Sequence, residues 1–383
     1  MRTSPALPLA LLALATAARP AAAQEDIRLV TLRSAAYQGE RQLVVRTPAA
    51  YDRPWERDRR YPVVYFTDGL ANLDGLAASA RFLERLGRIP PVVLVGLVHR
   101  DRAAELADGE PTLLAFLETE VVPWVEKTYR AAPLRILAGH GDGARFALRV
   151  LATRPGVFRA HLVMSPRLSG EDPLLGALAA AAARPGLAGT VIATRGDEGA
   201  ASAAGLRRLG EALAPAKGVT FTALELPGED PVSAVFPGQH RGLSALFAPF
   251  RMPVAEGDAG PRGGLAAVEA HYEALSRRVG FEVTPPEAVA NAAARQLLQE
   301  GEVDEAIRAY RRNVERYPGS ASAHDALGEA YERNGELEAA MRAYAKAVDV
   351  AARVKDPSLP ALERKLARLG ATVESQRLGA GGR

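Results

Sequence analysis

Residues 134–150 read LRILAGHGDGARFALRV. Leu134 to Leu137 has the β-branched and apolar character of a short strand, and from Ala144 onward the apolar residues recur at helical spacing. Between the two lie Gly139, Gly141 and Gly143, at every second position. A strand that turns directly into a helix needs such residues: the turn is tight, and the helix has to pack on the strand with no side chain in between.

The same alternation extends outward in both directions. YPVVYFTDG (61–69), PPVVLVGLV (90–98), AHLVMSP (160–166), GTVIATRGD (189–197) and FTALELPGE (221–229) are apolar runs that end on turn signals. LLAFLETEVVPWVEKTYR (113–130) and ARFALRVLATRP (144–155) carry helical periodicity. Strand alternating with helix predicts a doubly wound, mostly parallel α/β sheet over residues 24–252.

Beyond it, residues 253–263 (PVAEGDAGPRG) read as a linker, and residues 264–371 as an all-α domain rich in Ala, Glu, Arg and Leu. That domain repeats with a period of 34. Gly301-Glu302 falls on Gly335-Glu336, Ala306 on Ala340 and Tyr310 on Tyr344. This is the tetratricopeptide period, with repeats at about 287–320 and 321–354. Helices at 264–279 and 358–369 are expected to cap it, and residues 372–383 to be disordered. At the other terminus, Arg2, the apolar run 6–18 and Ala21-Ala22-Ala23 read as a secretory signal peptide over residues 1–23. The expectation is an exported, periplasmic protein with no membrane span in the mature chain.

Composition narrows the chemistry. The 383 residues contain no Cys, which removes a thiol nucleophile, a disulfide scaffold and a lipobox anchor. Six His in the whole chain predict no metal centre, and no cofactor is expected. With 48 Lys+Arg against 45 Asp+Glu and no run of like charge, a nucleic-acid partner is not expected.

The 137–143 stretch has the strand–turn–helix context of a nucleophile elbow, G-x-S-x-G, but Gly141 stands at its apex. Glycine has no nucleophilic atom and is expected to relax the strain of such a turn. Almost the whole mature chain resembles the esterase family of α/β-hydrolases that contains enterochelin esterase-like enzymes, S-formylglutathione hydrolases and mycolyltransferases, in a subgroup with C-terminal tetratricopeptide repeats. The segments that carry the resemblance are GERQLVVRTPAAYD, YPVVYFTDG, IPPVVLVGLVHRDR, FLETEVVPWVEKTYR, LRILAGHGDGARFAL, RPGVFRAHLVMSPRL and LPGEDPVSAVFPGQHRGLSALF.

The resemblance implies a Ser–acid–His triad. Position by position, the nucleophile falls on Gly141, the acid on Asp197 or Glu198, and the histidine on Pro231, within PGEDPVS. It also implies oxyanion-hole backbone N–H groups at Leu70 and Asp142. Two catalytic side chains would then be absent, so the expected protein is a silent homologue. It would bind a small ester-like ligand in its cleft and a protein partner through its repeats. The alternative is an active carboxylic-ester hydrolase with a non-standard constellation drawn from His140, Asp142, Glu198 and His240. Ser165 is expected to be structural, as is His140.

Overall fold

The computed structural model describes residues 26–49, 51–107, 111–252, 261 and 263–380. The expected signal peptide at 1–23 and most of the expected linker at 253–263 lie outside these residues. The strands are β1 (Asp26–Ser34), β2 (Gly39–Thr47), β3 (Tyr61–Phe66), β4 (Val93–Val98), β5 (Ala131–His140), β6 (Ala160–Met164), β7 (Ala188–Arg195) and β8 (Gly218–Glu225). They form one eight-stranded sheet in the order β1-β2-β4-β3-β5-β6-β7-β8. From β4 to β8 neighbouring strands run parallel, while β1 and β2 form an antiparallel hairpin that adds to the edge of β4. The apolar runs of β3 and β4 are buried because helices cover both faces of the sheet there.

Those helices are α1 (Gly69–Arg85), α2 (Arg102–Leu106), α3 (Thr112–Phe116), α4 (Val122–Thr128), α5 (Asp142–Thr153), α6 (Pro173–Ala182), α7 (Gly199–Leu213) and α8 (Val235–Leu246). A π-helical turn, Leu117–Val121, joins α3 to α4. The Ala-rich stretch 168–188 resolves into α6 and its flanks. One apolar cluster, containing Tyr65, Phe116, Phe146 and Phe158, fills one face of the sheet. The other, containing Phe66, Leu76, Leu162, Leu243 and Phe247, fills the opposite face.

All-helical structure follows: α9 (Gly264–Val279), α10 (Glu287–Glu300), α11 (Val303–Arg316), α12 (Ala321–Arg333), α13 (Leu337–Val354) and α14 (Leu359–Ala380). The residues paired by the 34-residue period occupy equivalent places. Ala306 and Ala340 are fully buried, and Tyr310 and Tyr344 are nearly so. A Cβ on Gly328 would lie 2.6 Å from the Tyr344 ring, so the α12–α13 hairpin closes over a residue with no side chain.

Two features differ from expectation. α9 does more than cap the helical array: Val268, Tyr272 and Leu275 are buried in the same cluster as Leu83, Leu243 and Phe247 of the α/β part. A helix with apolar residues to bury on two sides completes two cores. Instead of a disordered tail from 372, helix α14 continues to Ala380. It is held on α12 by Lys365 to Asp325, at 2.7 Å, and Arg368 to Glu332, at 2.7 Å. Among the described residues no helix is long and apolar enough to cross a membrane.

Candidate functional site

The glycine-framed turn joins β5 to α5 at the C-terminal end of the sheet. A Cβ on Gly139 would sit 2.2 Å from the Gly143 carbonyl oxygen, and one on Gly143 would sit 2.1 Å from Thr67 Oγ1. Both framing glycines are therefore required by contact. Gly141, at the apex, has φ +57° and ψ −115°. The expected relaxation of the turn is not found. The backbone bonds on either side fix the bend, with the Gly141 N–H donating to the Met164 carbonyl at 3.0 Å and the Arg145 N–H to the Gly141 carbonyl at 3.1 Å. Glycine fits there because a left-handed φ costs it nothing sterically.

Beside this turn, β3 ends in Thr67 and Asp68. The Thr67 N–H donates to the Ala138 carbonyl at 3.1 Å, and Asp68 adopts a left-handed conformation (φ 57°) that opens α1. Leu70 and Asp142 thus lie in the first turns of α1 and α5, where backbone N–H groups have no intrahelical acceptor. These are the two positions implied as oxyanion donors.

Around the apex is a group of charges with no local sequence signal, because its members come from four separate segments. Arg102 donates to Asp68 Oδ1 at 2.5 Å, to Asp142 Oδ2 at 2.9 Å and to the His140 carbonyl at 3.5 Å. Arg167 approaches Asp142 Oδ1 at 3.4 Å. Helix α2, which carries Arg102, is tied down by Glu105. That carboxylate accepts from Arg41 at 2.6 Å, pairs with His99 Nδ1 at 2.7 Å and accepts the Arg100 and Asp101 N–H groups. Burial alone would raise its pKa, but these hydrogen bonds outweigh burial and hold it below the usual carboxylate range.

The residues implied for the acid and histidine meet on the next loops. Asp197 Oδ2 accepts the Gly228 N–H at 2.7 Å, and the Asp197 N–H donates to the Glu229 carbonyl at 2.6 Å. Glu198 turns the other way: it accepts from the Gly196 N–H and from the Ser202 hydroxyl on α7. Of the two acids, Asp197 is the one bonded to the loop that carries Pro231. Within that loop Asp230 accepts the Val232 and Ser233 N–H groups, and hydrogen bonds from Ser233 and Val232 lower its pKa.

His140 Nε2 lies 2.7 Å from the Pro231 carbonyl oxygen. A carbonyl can only accept, so Nε2 carries the proton and is not a base in this arrangement. His240 is not part of the group. It packs on Phe82, ring centroids 5.8 Å apart, thirteen residues along α1 from Gly69. At 1.5 Å per residue that is about 20 Å from the start of the helix. Ser165 is buried with φ +45°, at the end of β6. Arg145 is ion-paired with Asp172, whose carboxyl burial would raise but the Arg145 and Leu174 hydrogen bonds hold low. Arg154 pairs with Glu118 at 3.4 Å, at the far end of α5.

A cleft of about 1000 Å³ lies at the opposite end of the sheet, where α9–α12 meet the starts of β3, β4 and β5. Pro62, Pro91, Pro133, Phe250, Tyr272 and Tyr317 line it. It contains none of the residues implied for catalysis.

Comparison with known proteins bears on the end with the glycine turn. Residues 34–199 match the family model described as Putative esterase. The match spans β2, the β5–α5 turn and the loop that carries Asp197 and Glu198. Ferri-bacillibactin esterase BesA of Bacillus subtilis is 25% identical over 146 residues, which cover 30% of this chain and 50% of that protein. The chain thus spans about half the length of the curated relative it matches. Among solved structures, an IroE-like serine hydrolase from Shewanella oneidensis aligns with a TM-score of 0.59 at 22% identity, over 72% of this chain and 95% of the other. An uncharacterised protein from Capnocytophaga ochracea aligns with a TM-score of 0.60 at 15% identity, over 90% of this chain and 100% of the other. These likenesses establish an α/β-hydrolase fold followed by a helical region.

Proposed function

We propose that this chain is an exported homologue of the esterases that binds ligands without cleaving esters. In this reading the β5–α5 turn retains the shape of a nucleophile elbow but presents no nucleophile. The observation that carries the reading is Gly141 at the apex, with φ and ψ held by backbone hydrogen bonds, together with the hydrogen bond from His140 Nε2–H to the Pro231 carbonyl. In a serine hydrolase such as subtilisin, loss of the serine or the histidine costs on the order of a millionfold in turnover, leaving only binding and oxyanion stabilisation. Asp142 does not stand in as nucleophile, since its carboxylate is engaged by Arg102 and Arg167.

The helical region supplies the second half of the proposal. Its 34-residue period supports tetratricopeptide-type hairpins, and such arrays engage protein partners through extended surfaces. The α/β part is then a ligand-binding body and the array a docking body.

The test is activity-based. The purified protein should neither react with a fluorophosphonate nor turn over short-chain aryl esters above a heat-denatured control. Turnover above that control, lost on changing His140 or Asp142 to Ala, would establish the alternative of a shifted constellation. The double variant Gly141→Ser, Pro231→His is expected to gain fluorophosphonate labelling.

A further inference from the structure

We propose that the cleft between the α/β part and the helical array is a binding site for an aromatic acid. The guanidinium of Arg59 takes the carboxylate, and the aromatic and proline side chains of the walls take the rings. This site is independent of the β5–α5 turn, which lies at the other end of the sheet.

A space where two parts of a chain meet is not by itself a site; three properties of its walls make this one. The first is a cation with unused donors. Arg59 lines the cleft, and its side chain is 26% exposed. Its Nη1 spans both oxygens of Glu56, at 3.2 and 3.1 Å, while its Nε and Nη2 meet no acceptor among the described residues. Those two nitrogens form one edge of the guanidinium fork, the edge that matches both oxygens of a carboxylate. The acids of the wall do not compete for it. Glu56 also accepts the Tyr61 hydroxyl at 3.2 Å, and Glu84 is engaged by Arg46, at 3.0 Å, and by the Val92 N–H. Exposed Asp58, Glu282 and Glu315 are matched by exposed Arg60, Arg88 and Arg316. Selection of an anion therefore rests on the donor geometry of Arg59, not on net charge.

The second property is a buried hydroxyl without a partner. Tyr272 of α9 lines the same cleft and is 3% exposed, and its hydroxyl makes no hydrogen bond among the described residues. The Met252 backbone lies near enough to act on it but makes no hydrogen bond to it. Burial raises the Tyr272 pKa, so the hydroxyl keeps its proton and can only be satisfied by an acceptor. Tyr317 is close enough to influence both Arg59 and Tyr272, which places the two donors in one neighbourhood. Its own hydroxyl is already used, donating to the Pro285 carbonyl at 2.7 Å.

The third is the shape and character of the walls. Phe250, Phe281 and Tyr317 line the cleft together with Pro62, Pro91 and Pro286. These are flat or rigid apolar surfaces, and the volume of about 1000 Å³ leaves room for a body of two or more rings. A neutral aromatic molecule would bury its rings here but leave the Arg59 edge and the Tyr272 hydroxyl without acceptors. An aromatic carboxylate supplies both.

The experiment is calorimetric titration of the full chain with 2-naphthoate and with its uncharged analogue 2-naphthamide. The acid should bind at least about tenfold more tightly than the amide. Arg59→Lys keeps a cation for Glu56 but loses the fork, so it should weaken 2-naphthoate about tenfold or more while the protein stays folded. Tyr272→Phe removes only the hydroxyl. It should weaken the acid about fivefold or more and leave the melting temperature unchanged or higher, because the group removed has no partner in the free protein. A purely structural tyrosine would do the reverse, with a lower melting temperature and the same affinity. That result, equal binding of acid and amide, an unchanged affinity in Arg59→Lys, or no heat from 2-naphthoate at millimolar concentration would each overturn the proposal.

Discussion

At the C-terminal ends of β3, β5, β6 and β7 the chain places Asp68, Gly141, Ser165 and Gly196, three of them at positive φ, with the Arg102–Asp68 pair and the Glu198 carboxylate among them. At the opposite end β3, β4 and β5 start at or next to Pro62, Pro91 and Pro133, and the apolar residues of α9 cover the ground between them and the helical array. One end spends stability to hold groups in unusual geometry; the other collects apolar burial from two regions of the chain. The contrast shows why the first is the candidate site despite the cleft at the second. Strained backbone and convergent charges persist only where surrounding structure enforces them, whereas a cleft can result from two bodies meeting imperfectly.

Mutation separates the two ends, and the largest effect is expected at the covered face. Phe247 is fully buried and packs edge-to-face on Phe250 in the cluster shared with α9. Phe247→Ala should cost about 3–5 kcal/mol, and a denaturant titration should show the α/β and helical regions losing stability together. Two separated transitions with only one of them shifted would mean that the shared core is not an energetic unit.

Next is His161 on β6, fully buried with no hydrogen-bond partner for either ring nitrogen among the described residues. Burial pushes its pKa down to about 3. The unfolded imidazole, with an ordinary pKa of about 6.5, takes up a proton that the folded one refuses. Stability should therefore fall as pH drops from about 6.5 toward 3, by about 1.4 kcal/mol per pH unit from this residue. His161→Leu should flatten that slope in a series of urea melts, and an unchanged slope would show that the imidazole finds a partner.

Smaller again is Gly141→Ser alone. The side chain has room, but the left-handed apex should cost about 1–3 kcal/mol, and with Pro231 still in place ester turnover should stay at background. A serine variant as stable as the parent would mean that the turn is not strained. The least effect is expected from Asp230→Ala in the exposed loop next to Pro231, where two backbone N–H groups lose their acceptor but water replaces it. A shift of melting temperature of more than a degree or two would show that this loop does more than position itself.

The strand–helix alternation and the 34-residue period made the fold legible, because each is a local pattern repeated many times. The β5–α5 turn was legible for the same reason: Gly139, Gly141 and Gly143 are close in sequence and their contacts are backbone contacts. The charge group was not. Arg102 is 34 residues from Asp68 and 40 from Asp142, and nothing in HRDRAAEL or MSPRL distinguishes Arg102 or Arg167 from a solvated arginine. His240, near Pro231 in sequence, faces Phe82 because helix α8 carries it away from the turn. The choice between Asp197 and Glu198 also needed coordinates, since adjacent residues on a loop can point in opposite directions.

The sequence by itself determined that a mostly parallel sheet would form and that a tight glycine turn would follow its fifth strand. Those facts depend on residue type and short-range spacing. Only the tertiary structure decided that the apex keeps its bend, that His140 Nε2–H donates to the Pro231 carbonyl, that two arginines share the Asp142 carboxylate, and that α9 closes the α/β core. Each of these depends on groups brought together across long stretches of chain, and their geometry is set by the packing of whole elements.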